Sequence, residues 1–303
     1  MNKLFTLMAL AFVCTAATAQ TDSTAKPDTV KLSVTKSDTI RVGNIVIVTN
    51  GKHDDDSKSN NVKIELGRHN NKNMSNITTD WFVFDVGFQN YTDKTDYAAA
   101  TANQYLLNEP GTTYPLGKND FKLKAGKSIN VNIWFFMQRL NLVQHHLNLI
   151  YGLGIDFDNY VYSAALSFKQ AGYTPYSATE TIPHPYVIRD SITFKKDKLA
   201  SNYVTIPVMF NYASSPDYRN KGFNVSAGVS IGYLYNSRNK QKSYQRGNLK
   251  NFGDYGMQQF KFSYIAEIGL GPVKLYGSYT PASIFETGLD MHSYVIGIRL
   301  GFF

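Results

Sequence analysis

Apolar and polar positions alternate along most of this chain, most cleanly in HSYVIGIRLGFF at residues 292–303. Tyr294, Ile296, Ile298, Leu300 and Phe302 fall on one face, and Ser293, Val295, Gly297, Arg299 and Gly301 on the other. Strict period-2 alternation is the signature of a strand with one apolar and one polar or small face. In a soluble sheet the apolar face would need a second layer to cover it. Here the pattern recurs through the last three-quarters of the chain, and glycines keep returning to the small face.

The alternation predicts eight strands: 81–91, 127–140, 146–158, 202–213, 222–236, 257–270, 273–280 and 292–303. Most exceed the roughly 9–11 residues that a tilted strand needs to cross a bilayer, whereas soluble strands typically run to about 5–6. The connections sort by length. Residues 92–126, 159–201 and 237–256 are long and 281–291 is intermediate; 141–145, 214–221 and 271–272 are short. A soluble sandwich has no reason to alternate its loops in this way. An outer-membrane barrel does, with short periplasmic turns and long extracellular loops. Pro207 cannot donate to a ladder and a closed barrel has no edge to hold it, so a bulge or a missing ladder bond is expected there.

The region before Trp81 is different. From Thr21 to Asp80 there is no Phe, Tyr or Trp, and so abrupt a shift marks a domain boundary. One strand is expected over 39–49 (TIRVGNIVIVT), with shorter candidates at 30–34 and 62–66, which makes a small hairpin and linker on the periplasmic side. At the very start, MNKLFTLMALAFVCTAATAQ carries a basic residue (Lys3), a short apolar core and the small-residue Ala17-Thr18-Ala19 site, the three parts of a cleaved secretory signal. Its apolar core is too short for a membrane anchor, and no later stretch reaches about 18 consecutive apolar residues. Cys14 is the chain's one cysteine. It follows Val13, where lipid attachment calls for a small residue, and its loss with the signal removes any disulfide or thiolate site.

The reading is therefore all-β: an eight-stranded antiparallel transmembrane β-barrel (81–303) after a signal peptide (1–19) and a small N-terminal periplasmic β/linker segment (20–80). Composition fits, since aromatics are 14% and charged residues only 18%, an unusual balance for a soluble enzyme. The net charge of +8 would suggest a polyanion partner. A secreted chain does not meet nucleic acid, and much of the charge lies in one loop, so no nucleic-acid role is expected.

Several phrases carry a resemblance: NLIYGLGIDFDNY, NYVTIPVMFNY, FNVSAGVSIGYL, KLYGSYTPASIF and YVIGIRLGFF. Its best markers are Tyr203 with Ile206 and Pro207, and Ser226-Ala227-Gly228 followed by Gly232-Tyr233. With these the stretch 81–303 resembles the PorT-like outer-membrane β-barrel domain family of Gram-negative bacteria. The resemblance implies a fold and a location, the cell outer membrane. The final Phe303 resembles the terminal aromatic that the barrel-assembly machinery reads. The family's pattern carries no activity; one relative acts as an accessory factor in protein secretion.

Candidate chemistry is sparse. An eight-stranded barrel is just wide enough to be filled by its own side chains. The inward faces hold Asp85, Asp156 and Glu267 against Lys261, Lys274 and Arg299, a lumen charge network that either pairs internally or forms a proton or ion path. Lipid-facing Lys or Arg near the midplane would cost about 2–4 kcal/mol, so this placement also tests the register. The loop NSRNKQKSYQRGNLKN places Arg238, Lys240, Lys242, Arg246 and Lys250 together without an acid, a candidate polyanion-contact surface. Tyr160, Tyr162, Tyr173, Tyr176 and Tyr186 offer an adhesive surface or an interfacial girdle. His53 with Asp54, Asp55, Asp56, Glu65 and His69 lacks the ligand spacing of a calcium loop and reads as a solvated turn, so no metal is expected. His292 and Ser293 are the least unfavourable pair for a hydrolase at the outer rim, but neighbouring strand residues point to opposite faces. We expect no enzyme and no cofactor. The expected role is structural, adhesive or interaction-based through the long loops, with solute or ion transport, or assistance to secretion, as alternatives. Expected partners are outer-membrane lipids including lipopolysaccharide, the barrel-assembly machinery, and a surface polysaccharide or protein.

Overall fold

The structure is a computed structural model, and it describes residues 37–42, 45–50, 62–66, 75–111, 114–215, 222–270 and 273–300. The expected signal peptide, the candidate strand 30–34, the acidic turn at His53 and the terminal Phe303 lie outside the described residues. The chain divides into two compact units, Met1–Asn70 and Asn71–Phe303.

In the first unit three antiparallel strands, Ser37–Val42, Ile45–Asn50 and Val62–Leu66, pair in chain order. The stretch expected as one strand over 39–49 is thus two arms of a hairpin. Val42 pairs with Ile45, and the Gly-Asn dipeptide between them in the sequence is a hairpin signal.

In the second unit eight strands form the ring: β1 (Ile77–Asp93), β2 (Ile129–Val143), β3 (Leu147–Val161), β4 (Lys196–Ala213), β5 (Phe223–Ser243), β6 (Phe260–Leu270), β7 (Val273–Tyr279) and β8 (Met291–Leu300). Each pairs antiparallel with the next, and β8 pairs with β1, Ile296 facing Phe88, so the sheet closes. Closure leaves no edge strand in the ring. All eight expected strands are present. Several run further than expected at the long-loop end, β4 and β5 by the most. β4 starts at Lys196 rather than 202, and β5 continues to Ser243 rather than 236. The β3–β4 ladder steps from Thr205–Gly154 to Val208–Tyr151, so the pairing gap expected at Pro207 is there.

Outside, the apolar face is bare. Phe88, Phe210, Leu275 and Ile296 are each at least 60% exposed, and similar residues line every strand. A belt of this kind is far larger than the apolar patches a soluble monomer tolerates, and it is what hydrocarbon would cover. Past one irregularity in β2 the side chains change face from the expected alternation. The β2–β3 register shifts between Trp134 and Phe136, which turns Met137 inward. There it packs with Val83, Trp134, Ile150 and Met209 in a small apolar cluster.

At the long-loop end the connections build a cap with its own core. A short helix, α1 (Tyr97–Ala102), starts at Asp96, whose carboxylate accepts from the N–H groups of Ala98 and Ala99. Strands Leu106–Leu107, Leu166–Lys169 and Tyr186–Arg189 form a small sheet. Phe121, Tyr162, Phe168 and Phe285 pack successively at 5.3–6.2 Å between ring centroids, over buried Tyr160, Leu199 and Met291.

Candidate functional site

The inward faces of β1, β2, β3, β6, β7 and β8 carry a polar network in two tiers. The tier nearer the cap centres on Lys261, whose ammonium lies 2.8 Å from Asp156 and 2.5 Å from Asp158. Asn130 donates to both carboxylates at 2.5 and 2.9 Å. Gln89 donates to Asp158 at 2.6 Å and to Ser293 at 3.2 Å. Tyr276 donates from its hydroxyl to Asn130, and the Tyr203 ring lies 5.3 Å from the ammonium.

The second tier centres on Arg299. Its guanidinium grips Asp85 through Nε and Nη2, both at 2.6 Å, and donates from Nη1 to Glu267. The Trp134 indole N–H donates to the same Asp85 at 2.7 Å, and its ring lies 5.6 Å from the guanidinium carbon. Gly154 sits opposite Trp134 in the ladder, and a Cβ there would lie 2.6 Å from the indole. The glycine is what admits so large a ring. Below it, towards the short turns, the Met137–Met209 cluster fills the bore with carbon.

All six charges expected in the lumen are buried inside the ring. Asp158 joins them. It shares the parity of Asp156, but as the last residue of the expected strand 146–158 it stood outside the expected set. Lys274 is also inward and borders the space beside Glu267 and Arg299. The arrangement is one of direct ion pairs and hydrogen bonds, with the packed cap above and the apolar cluster below, where Asp80, Gln138 and Arg139 also line the space beside Lys274.

The second candidate site lies outside, where β4 and β5 rise past the apolar belt. Their pairing is irregular at one point. Asn202 faces Asn236 but Tyr203 faces Leu234, so Tyr235 is an extra residue on β5. Such a bulge reverses the alternation of everything beyond it. Below the bulge the even-numbered residues of β5, among them Asn224, Ser226 and Ser230, are buried. Above it the odd ones are, Ser237, Asn239, Gln241 and Ser243. Arg238, Lys240 and Lys242 therefore point out. Facing them across the ladder are Lys198 opposite Lys240 and Lys196 opposite Lys242. The antiparallel strand Gly247–Phe252 adds Lys250 on the other side of Lys240 and Phe252 beside Arg238.

Four of the five residues expected as a polyanion surface thus share one face of a three-stranded sheet. The fifth does not: Arg246 sits in the connecting turn and pairs with Asp190 at 2.7 Å. Lys196 and Lys198 complete the face from β4. They precede the expected strand start at 202, though their Lys-x-Lys spacing already fits an outward face. Within this face the Lys198 ammonium is pushed down to about 8, first by partial burial and then by Arg238, Lys196, Lys240 and Lys250. It donates to the Asn159 side-chain oxygen at 2.5 Å.

The opposite face of the same strands ties down the cap. Asp197 accepts from the Leu166 N–H at 2.7 Å and from Asn239 at 3.4 Å. Gln241 donates to the Leu166 carbonyl at 2.8 Å and to Ser167 at 2.9 Å. Burial pushes the Asp197 carboxyl up to about 7 despite those donors.

The tyrosines expected as an adhesive surface mostly serve another purpose. Tyr160, Tyr162 and Tyr186 are buried and Tyr176 is half-buried, with only Tyr173 of the five well exposed. Tyr160, Tyr162 and Tyr186, with Tyr176 against them, are cap core and not an outward face, because the loops fold over one another instead of standing free. His292 and Ser293 point to opposite sides of β8. His292 meets the Pro281 carbonyl at 2.7 Å through Nδ1, and Ser293 accepts from Gln89.

Among solved structures, the chain is similar to Ail, the attachment invasion locus protein of Yersinia pestis, at 10% identity and a TM-score of 0.29, covering 76% of this chain and all of that one. It is also similar to a triple mutant of the Rhodopseudomonas blastica porin at 10% identity and a TM-score of 0.16, covering 75% of this chain and all of that one. Scores this low carry no argument. None of the curated proteins matches the sequence significantly. The model of the outer membrane protein beta-barrel domain matches residues 121–285, more than half of the chain. With the closed eight-stranded ring, its bare apolar belt and its sorted loops, the protein belongs to the outer-membrane β-barrel domain family and resides in the outer membrane.

Proposed function

We propose that the protein is a non-conducting barrel whose extracellular cap and outward sheet act in surface interaction or adhesion. The observation that carries this reading is the filled bore. Among the described residues, two ion-pair tiers, an apolar cluster beneath and a packed cap above occupy the bore, which supports a barrel that does not conduct. In the outer membrane the long loops face outward and the short turns face the periplasm. The PorT-like resemblance in a Gram-negative host, export by a cleaved signal over residues 1–19, recognition of Phe303 by the assembly machinery, and the absence of catalysis or a cofactor belong to the same proposal.

Planar-bilayer recording on the refolded full chain tests it. No unitary current steps are expected; steps of porin size would overturn it in favour of transport. A deletion strain is expected to secrete normally and attach to surfaces less well. Accumulation of secreted proteins in the periplasm, with attachment unchanged, would turn the reading towards a secretion accessory.

A further inference from the structure

Like charges placed directly opposite in a ladder destabilise a sheet. Here Lys240 lies between Lys198 and Lys250, and Lys242 faces Lys196. Residues 236–252 contain no acid, and the one acid in the facing strand, Asp197, points inward to hold the cap. The cations are outward only because of the bulge at Tyr235. A regular β5 would have carried Arg238, Lys240 and Lys242 into the interior.

Their height is also set. On β4 the face that carries Lys196 and Lys198 continues down into Val204, Ile206, Val208 and Phe210, all exposed in the apolar belt. On β5 the last aromatic residues of the belt are Tyr233, packed edge-on against Phe260 at 5.4 Å, and Tyr235. Strands rise about 3.4 Å per residue and tilt by about 40° in barrels. Arg238 therefore stands only about 8 Å above Tyr235, and Lys240 about 13 Å. Aromatic residues mark the interface, so these cations begin at headgroup level on the lipid-facing side.

From this placement we propose that the outward ladder of Lys196, Lys198, Arg238, Lys240, Lys242 and Lys250 binds the phosphate groups of an anionic lipid in the outer leaflet. The site rests on the surface-interaction reading above and names its ligand class. A polysaccharide chain could approach from any side of the cap; a lipid phosphate is held at headgroup level by its acyl chains against the belt, the height at which this face begins. Three strands spaced about 4.8 Å apart suit two phosphates on one headgroup better than a single point charge.

The test uses the full chain in nanodiscs of zwitterionic phospholipid doped with diphosphoryl lipid A. Lipid A retained per protein after re-extraction is measured by mass spectrometry. The triple variant Lys198→Gln, Arg238→Gln, Lys240→Gln is expected to retain at least about tenfold less. The control Lys94→Gln, Lys122→Gln, Lys127→Gln, with the same loss of charge elsewhere, is expected to retain it fully. Enzymatic removal of the lipid A phosphates should abolish the difference. Equal retention by both variants would overturn the proposal. So would unchanged lipid retention with lost binding of dextran sulfate, which would reassign the ladder to a soluble polyanion. Heat-modifiable gel mobility checks that each variant is folded. Channel steps from the wild type with lipid retention intact would sink the functional reading and leave this site standing.

Discussion

Inside the barrel Arg299 meets two carboxylates and an indole ring, whereas outside it Lys240 lies between two lysines on neighbouring strands. Both sites are built on the strands of one ring and differ in which face the side chains take. In the bore, desolvation makes an unpaired charge prohibitive, so opposite charges meet within it, Arg299 with Asp85 and Glu267, and Lys261 with Asp156 and Asp158. On the outer face above the belt, water and salt screen the repulsion, and cations can be collected without counter-charges. Compensation thus marks what holds the protein together, and its absence marks what is offered to a ligand. Substitutions at the two places should behave in opposite ways.

The largest effect is expected in the bore. Arg299→Met leaves Asp85 and Glu267 buried without their cation and should cost ~3–5 kcal/mol, read as a lower urea midpoint for the protein folded in vesicles. A loss under about 1 kcal/mol, the scale of a solvent-exposed pair, would mean that the network is wet, and the contrast with the outer ladder would collapse. Next comes the apolar cluster beneath it. Met209 is fully buried, and Met209→Ala should cost ~2–4 kcal/mol through lost packing. It should leave lipid A retention unchanged, which separates stability from binding.

The places where sequence reasoning succeeds and fails follow the same division. Period-2 alternation locates the strands because every strand in the ring has one face in hydrocarbon. The polar parity then locates the lumen charges, since lipid excludes them from the other face. Where an alternation is broken by one inserted residue, parity arguments carry the error forward. The bulge at Tyr235 leaves no compositional mark in FNVSAGVSIGYLYNSRNK, so the outward aim of Arg238, Lys240 and Lys242 needs the pairing register. The hairpin of Ser37–Val42 and Ile45–Asn50, expected as one strand, is different: a Gly-Asn dipeptide between two β-branched runs is a hairpin signal in the sequence itself. The cap is illegible for another reason. Its apolar residues are drawn from loops that share no period, so Tyr160, Tyr162 and Phe168 look alike in sequence whether they face a ligand or one another.

A pH titration sharpens the comparison within β4 itself, where Asp197 points in and Lys198 out. Asp197 titrates near 7 when folded, above the ordinary carboxylate value of about 3.9. An acid with a raised folded value costs stability when ionised. The cap should therefore be most stable below about pH 4, lose stability as pH rises towards 7, and change little beyond that. Hydrogen exchange at the Leu166 and Tyr162 amides should show faster opening at about pH 8 than at about pH 5, after correction for intrinsic rates. Asp197→Asn should flatten the profile.

The smallest effect is the most discriminating. If the ladder is held together against repulsion, neutralising its central member should stabilise the protein, by ~0.2–1 kcal/mol on the scale of cross-strand pairs. Lys240→Gln in neutral detergent at low ionic strength should raise the thermal midpoint by a degree or two on that scale. The gain should vanish near 1 M salt, where screening reaches about 3 Å. Adding lipid A should reverse the sign, because phosphate between Lys198, Lys240 and Lys250 converts repulsion into attraction for the wild type alone. A Lys240→Gln protein less stable than wild type in plain detergent would mean that the lysine packs against its neighbours as structure. The outer face would then resemble the bore, and the distinction between compensated and offered charge would fail at the residue where it is most exposed to test.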